Sequence, residues 1–587
     1  MRKYILTSVV LIQLLTSANA GNFFNDERML VTADRGLYVT GDKIHFSCML
    51  LPGRAEGSVV STIAYIELIT PGGEKILGQK RIIQNGICKG SVTIPTEIMS
   101  GNYYLRAYTK VMRNRPAETF GFCLLKIINP ERSEILAYNN HDTEDLHTRL
   151  ETLKLSNAYQ IEVDADTIAP RKEVEVKLRK KETRPGQLSR TIVSIVPAIS
   201  LPKKVLAVDA IQNEYTKQGP FSAESEGLTI SGTITEQKRP VPLNITLLEP
   251  EHNNFYPVKT DSSGRFSFVF AEKYGEQDLF VSFNAADPDA EILIDNDFCS
   301  KQTMLPAPAF DLNKAERKFL LQAAHHQKIK KHFKTADEHG ATAGSEHAAK
   351  KAAGKTGKAA SEVAGTTTSG SAEKKKLPDH FMDTIPFYGK PGHMIYIADY
   401  IQMSQVKDYL TELQVPVRIR KKEGKEMISI TGVQAEMSFF PPLLMVDFAP
   451  VYDPGTVLHM DPMNVLRIDI LDAPYVRGEM TYGGILNVIS YNNDFAGIKL
   501  PEKGLFINYQ LLTDSNGFHN RTAPVPPHIP DVRTTLYWNP SFDFNGSDTG
   551  TFRFLSGDMR GDFIIRVTGI TPEGTARVSE KRITVVD

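Results

Sequence analysis

Between His325 and Lys376 runs a tract that no compact fold can absorb: Ala, Gly, Ser, Thr and Lys dominate, Phe333 is the one aromatic residue, and eleven lysines against five acids give +6. Ordering a backbone residue costs about 1 to 2 kcal/mol, and a stretch with almost no large apolar side chain has nothing to set against that cost. The composition predicts a solvated, basic, flexible linker, which we assign to residues 301–378. Whatever folds must fold on either side of it. The histidines His325, His326, His332, His339 and His347 predict no metal site, because a flexible tract does not pre-organise ligands. Gly354-Lys355-Thr356 echoes a phosphate loop, but Ala349 stands at the leading glycine position and no strand precedes it.

The remainder is an ordinary globular mixture, 41% apolar and 23% charged over 587 residues, enough for about three to five domains. A net charge of −1 argues against a nucleic-acid surface over the whole chain. Residues 1–20 read as an export leader: Arg2-Lys3, an apolar run from Tyr4 to Leu15, then Ala18-Asn19-Ala20 as a small-residue cleavage site. The mature chain is expected to begin near Gly21 with no transmembrane segment, since no later apolar run approaches about 18 residues.

Export permits disulfides, yet there are only Cys48, Cys88, Cys123 and Cys299. Cys48 alternates with Ile44, Phe46 and Leu50, and Cys88 shares parity with Val92 and Ile94, so both point into one core. They are expected as buried free thiols, with a bridge as the alternative. No Cys-x-x-Cys spacing exists, so zinc and redox motifs of that kind are absent.

From Thr32 to Phe46 the pattern is strand, Gly41-Asp42 turn, strand. More strands are predicted at Ile63 to Thr70, Lys75 to Ile83, Cys88 to Ile94, Gly101 to Thr109 and Phe120 to Ile128, a β-sandwich over 21–130. The spacing around Tyr38-Val39-Thr40-Gly41-Asp42 resembles the second macroglobulin domain of α2-macroglobulin-like proteins, with Thr40 where proline is frequent and Asp42 in place of glutamate. A polar connector (131–155) leads to strands at Tyr159 to Val163, Val174 to Arg179 and Arg190 to Val196, the first part of a second sandwich (156–222). Gly227 to Ile234, Val241 to Leu248 and Thr260-Asp261-Ser262-Ser263-Gly264-Arg265-Phe266 resemble a carboxypeptidase regulatory-like domain (223–300), usually inert scaffolding. Strands after Thr535 complete a sandwich over 495–587. Three strands before the regulatory-like domain and four at the end are each too few for a closed core, so they are expected to combine into one discontinuous sandwich.

Past the linker, helical spacing at Val406, Tyr409, Leu410 and Leu413 and a strand from Val415 to Lys421 precede three β-like runs: Leu443 to Asp447, Val465 to Leu471, and Tyr482-Gly483-Gly484-Ile485-Leu486-Asn487-Val488-Ile489-Ser490. The stretch resembles the plug domain of TonB-dependent outer-membrane receptors, with Asp469 where glutamate is usual and Leu486 where Ile or Val is. The pair Gly483-Gly484 allows a tight turn before the last strand. A plug fills a barrel of about 22 strands, which needs more than about 200 further residues; here 96 residues separate position 491 from position 587, so no barrel of its own is expected. The fold class is therefore mainly β: multidomain sandwiches of macroglobulin or immunoglobulin-like type, a small α/β plug-like module at 379–494 and the linker.

No Gly-x-Ser-x-Gly elbow, His-Glu-x-x-His pair or dinucleotide fingerprint occurs. The thioester of macroglobulins needs Cys-Gly-Glu-Gln; the one echo, Tyr274-Gly275-Glu276-Gln277, has a tyrosine that cannot form that bond. Paired acids such as Asp142 and Glu144 sit in polar surroundings and read as a solvated face. The combination resembles exported proteins of the Bacteroidota type that join a macroglobulin-like domain to a plug-like one. The missing motifs lead us to expect no enzymatic activity and no cofactor, and the resemblance implies a place in the periplasm or at the outer membrane of a Gram-negative bacterium. It further implies a docking module with Asp447, Asp469, Tyr475, Tyr482, Gly483 and Gly484 as candidate residues, and a protein partner in the outer membrane or envelope. The alternatives are a non-covalent protease-binding macroglobulin-like protein, for which the linker would be the bait, or an accessory ligand-capturing factor, for which no aromatic platform is visible, the one tryptophan, Trp538, standing in an expected core strand.

Overall fold

The alternation in the first hundred residues becomes two sheets. One holds Arg28–Ala33, Lys43–Leu51 and Ile87–Thr93; the other runs Leu37–Val39, Gly121–Ile128, Gly101–Tyr108, Ile63–Ile69, Lys75–Ile82. These strands come from a computed structural model that describes residues 27–332 and 386–586 apart from short breaks at 52–59, 138–147, 182–189, 203, 209–218, 237–239, 250–252, 271, 285–288, 302, 433, 499–503, 515–516 and 573. The export leader, the part of the linker from 333 to 378, Asp142 and Glu144 lie outside the described residues. The protein is mainly β, with several sandwiches. Among the described residues no helix is long and apolar enough to cross a membrane.

The run before Gly41 is not one strand. Arg28–Ala33 pairs with Lys43–Leu51, whereas Leu37–Val39 crosses to the other sheet and runs parallel to Gly121–Ile128. Asp34 causes the break: its buried carboxylate accepts from the Tyr38 hydroxyl at 2.7 Å and the His45 N–H at 3.0 Å, offering the backbone a local alternative to the ladder. Cys48 and Cys88 are buried free thiols in the structure, on the core side with Ile44, Phe46 and Val92.

The strands on either side of the long insertion do combine. Glu173–Lys180 lies between Tyr159–Val163 and Thr549–Leu555, and Arg190–Pro197 lies between Gly561–Ile570 and Tyr537–Asn539. Register puts Val174 opposite Phe554 and Val176 opposite Phe552, so the buried parity of one strand meets that of another more than three hundred positions away. A third pair of sheets contains Thr229–Ile234, Arg265–Val269 and Ile292–Ile294 in one, and Asn254–Lys259, Pro242–Leu248 and Glu276–Phe283 in the other.

Three assignments change. Leu505–Gln510, placed with the C-terminal strands by position, instead extends the sheet beside Glu276–Phe283, with Ile507 opposite Leu279 and Phe506 opposite Phe280; an alternating strand accepts any edge of matching polarity, and position along the chain does not choose the edge. Thr148–Thr152, read as connector, pairs antiparallel with Lys204–Val208. The beginning of the linker is ordered: Lys314–His332 is an α-helix whose Phe319, Leu320 and Ala323 are buried in the core of the discontinuous sandwich. Three apolar residues at i, i+1 and i+4 form a stripe narrow enough to be hidden by the surrounding lysines. Asn313, preceding the helix, accepts from the Glu316 N–H at 2.9 Å, and Lys126 pairs with Glu316 at 3.1 Å.

The chain forms two compact units. One comprises Met1–Gly227, Phe298–Glu362 and Leu512–Asp587, the other Leu228–Asp297 and Val363–Leu511. The regulatory-like strands and the 386–494 module thus belong to the same unit.

Candidate functional site

The 386–494 module is built on a five-stranded sheet ordered His393–Tyr396, Val465–Leu471, Ile485–Ser490, Leu443–Val446, Ala449–Pro450, in which Leu443–Val446 and Ile485–Ser490 run parallel. Its three central strands are almost continuously apolar because both faces are covered. On one face lie the helix Val406–Glu412, through Val406, Tyr409 and Leu410, and the short helix Pro454–Leu458. Reciprocal bonds between Gln405 and Asp408 cap the first helix. On the other face, Leu443, Met445, Ile485 and Ile489 pack with Phe255 of the regulatory-like sheet and with Tyr388 and Phe448. This face of the sheet is thus covered from within the same unit.

Asp447 ends the Leu443–Val446 strand in a two-residue loop to Ala449–Pro450, with φ of +47° at Asp447 and +65° at Phe448. Two positive φ values match the twist a tight hairpin needs, but each costs a non-glycine residue about 1–2 kcal/mol. The cost is offset by side-chain contacts. Phe448 is buried against Tyr388 and Phe387, at 6.0 and 5.9 Å between ring centroids. The Asp447 carboxylate accepts from the Ser490 N–H and hydroxyl at 2.6 Å each and from the Phe495 N–H at 2.7 Å. Burial pushes this carboxyl above its ordinary value, with the Ser490 bonds opposing.

Asp469 sits in the middle of Val465–Leu471, fully buried and directly opposite Asn487. Arg467, two residues earlier and so on the same face, brings Nε to 3.0 Å of Oδ1, and Tyr388 donates its hydroxyl to Oδ2 at 2.8 Å. Asn487 donates to that same hydroxyl at 3.1 Å and accepts from the Phe448 N–H at 3.3 Å. Burial raises the Asp469 carboxyl, with Arg467 opposing.

Tyr475 and Tyr482 face each other across the hairpin Tyr475–Arg477 / Met480–Tyr482. Arg477 lies over the Phe387 ring at 4.2 Å, donates to the Tyr475 hydroxyl at 3.2 Å and to Asn254 at 2.8 Å, tying this hairpin to the regulatory-like strands. Burial raises the Tyr482 hydroxyl. Gly483 is required by close approach: a Cβ there would sit 2.3 Å from the Phe440 carbonyl oxygen and 2.4 Å from that of Met437. Gly484 combines φ of +99° with a Cβ position 2.6 Å from the Leu471 carbonyl oxygen.

Of the six candidate residues, Asp469 joins a buried network through Tyr388 and Asn487 that ends on the Phe448 N–H, the Asp447 carboxylate is held separately by Ser490 and Phe495, and Tyr475, Tyr482, Gly483 and Gly484 line the adjoining hairpin and its approach. Asp447, Asp469 and Asn487 have no exposed surface, so these groups shape a turn and a sheet and do not meet a ligand. Asn487 and Tyr388 were not singled out from the sequence; an asparagine at the centre of an otherwise apolar strand was the available signal. What reaches solvent is different. Four of the five most exposed large apolar side chains among the described residues are Ile401 (82%), Phe439 (79%), Met463 (65%) and Val476 (65%), all in this module and all outside its central sheet. Phe439-Phe440 directly before Pro441-Pro442 was the legible sign, an apolar pair that prolines keep out of a ladder. Among the described residues no group of three or more His, Cys, Asp or Glu could hold a metal ion.

No protein-family model matches the sequence, and no curated protein matches it. Among solved structures, the chain is similar to Salmonella alpha-2-macroglobulin reacted with methylamine, at 10% identity over 95% of this chain and 39% of that one, with a TM-score of 0.22. It is similar also to native Escherichia coli alpha-2-macroglobulin, at 9% identity over 95% and 40%, TM-score 0.22. A further likeness is to FdeC, an Escherichia coli adhesin, at 12% identity over 45% and 62%, TM-score 0.14. The chain spans about two fifths of the length of the alpha-2-macroglobulins it matches. At such scores the likenesses carry no detail, and the architecture rests on the sheets described above.

Proposed function

We propose that this protein is a non-enzymatic interaction protein of the bacterial cell envelope, whose sandwiches carry the 386–494 plug-like module as the part that meets a protein partner. The observation supporting this is that Ile401, Phe439, Met463 and Val476, each more than three-fifths exposed, all belong to one module. Large apolar side chains left in water mark interaction surfaces when they gather in one region. The docking residues are then these four exposed side chains, whereas Asp447, Asp469 and the glycine pair support the central sheet. The partner is a protein with an apolar face of its own, and the leader-like residues 1–20 support a meeting place in the periplasm or at the outer membrane.

A photo-crosslinking amino acid placed at Ile401 or Phe439 of the full chain, in cells that export it, tests the reading. Adducts with an outer-membrane or surface protein are expected from these positions and not from Met99 in the first sandwich. Ile401→Ser with Phe439→Ser should remove the adduct's partner from co-purification while leaving thermal unfolding unchanged. If the doubly substituted protein keeps every partner, the module is structural filler and the docking role is wrong; if the chain stays in the cytoplasm, the location is wrong.

A further inference from the structure

The first sandwich places two cysteines directly opposite one another. Cys48 on Lys43–Leu51 is the register partner of Cys88 on Ile87–Thr93, and residues directly opposite in a ladder project to the same face. Two positions along, Leu50 donates its N–H to the Gly86 carbonyl at 2.9 Å, so the antiparallel alternation makes Cys48 and Cys88 a hydrogen-bonded pair with Cα atoms about 5.5 Å apart. Disulfides span Cα separations of about 4.4–6.8 Å. Both side chains are fully buried, so neither thiol has a competing reaction with solvent once folded.

We infer that Cys48 and Cys88 are a disulfide site, closed by thiol–disulfide exchange while the first sandwich is forming. One thiolate attacks a sulfur of a small-molecule or protein disulfide, giving a mixed disulfide and expelling one thiolate. The second cysteine thiolate attacks the mixed disulfide at the sulfur of its partner, forming the Cys48–Cys88 bond and expelling the other thiolate. The two protons lost by the cysteines end on the two expelled thiols; the cysteines are oxidised by two electrons and the oxidant is reduced by two. Exchange belongs to folding because burial later shuts the pair away and pushes the Cys48 thiol up. Cys123 faces Leu105 across its own ladder and has no cysteine opposite. The inference does not depend on the docking role or on export, because the step requires the oxidant and not a compartment.

The test uses the full chain, unfolded with reductant, refolded in a mixture of oxidised and reduced glutathione, then unfolded again without reductant and blocked with N-ethylmaleimide. Mass spectrometry should find two blocked cysteines, Cys123 and Cys299, and one tryptic species joining the Cys48 and Cys88 peptides. The doubly substituted Cys123→Ser, Cys299→Ser protein should show no blocked cysteine and the same joined species. Four blocked cysteines, a link through Cys123 or Cys299, or Cys48 and Cys88 each carrying glutathione instead of one another would overturn the inference.

Discussion

Ser490 donates twice to the Asp447 carboxylate, from its N–H to Oδ1 and from its hydroxyl to Oδ2, at 2.6 Å each. This clamp joins the end of one central strand to the end of its parallel neighbour and stabilises a loop whose φ values alone would not persist. Ser490→Ala removes one charge-assisted bond from a buried carboxylate and should cost about 1–3 kcal/mol. Hydrogen exchange of the amides in Leu443–Val446 and Ile485–Ser490 reports it directly; protection equal to that of the unsubstituted chain would mean the hydroxyl is dispensable.

The pH dependence follows from Asp469. Burial raises its carboxyl in the folded state, so between the unfolded value of about 3.9 and the raised folded value the native chain holds the proton more firmly than the unfolded one. Linkage then makes this residue's contribution to stability fall as pH rises through that window and stay constant above it. Asp469→Asn has no such titration. The stability difference between Asp469→Asn and the unsubstituted chain should therefore move in the variant's favour on going from acid to neutral pH. Urea midpoints at several pH values check this, and a difference that moves the other way, or not at all, contradicts it.

Gly483→Ala drives a methyl group to 2.3 and 2.4 Å from two carbonyl oxygens, which must shift with their backbone. A loss of roughly 1–3 kcal/mol, the usual cost of overpacking, is expected in thermal unfolding. Gly517, where an added Cβ meets nothing within 4 Å, is the control, and Gly517→Ala should stay within about 0.5 kcal/mol. Equal effects of the two substitutions would refute the close-approach explanation.

The helix Lys314–His332 is anchored by Phe319, buried in the core that the discontinuous sandwich shares with Leu320 and Ala323. Phe319→Ala leaves a cavity there and should destabilise that unit by about 3–5 kcal/mol. Trp538, the single tryptophan and itself buried in that unit, gives the fluorescence readout. An unchanged urea midpoint would mean that the helix rests on the sandwich without stabilising it.

Much of the module's sheet was legible because its strands announce themselves: Leu443-Leu444-Met445-Val446 is apolar throughout, and Val465 to Leu471 and Ile485 to Ile489 are mostly apolar runs of strand length, with Pro, Asp and Gly at their borders. Asp447 and the glycine pair also stood out, as a charge ending a strand and as a turn. Their roles did not. Gly483 is glycine because the Phe440 and Met437 carbonyls approach it, and nothing local to Tyr482-Gly483-Gly484 tells of those neighbours. The network through Tyr388 and Asn487 joins residues about a hundred positions apart, a relation that no spacing rule expresses.

What the amino-acid order determined by itself was the set of strands, their buried parity and the breaks between them, because a two-residue period, a proline or a glycine acts over a few bonds. It reached as far as requiring that Tyr159–Val163, Glu173–Lys180 and Arg190–Pro197 find partners elsewhere, since three strands do not close a core. Only the tertiary structure decided that Leu505–Gln510 would take the edge beside Glu276–Phe283, that Lys314–His332 would leave the basic tract to fill a core, and that Phe255 would cover one face of the module's central sheet. Each of those is a choice among distant surfaces of similar polarity, and such choices are made by shape and burial across the whole fold, which a local pattern does not contain.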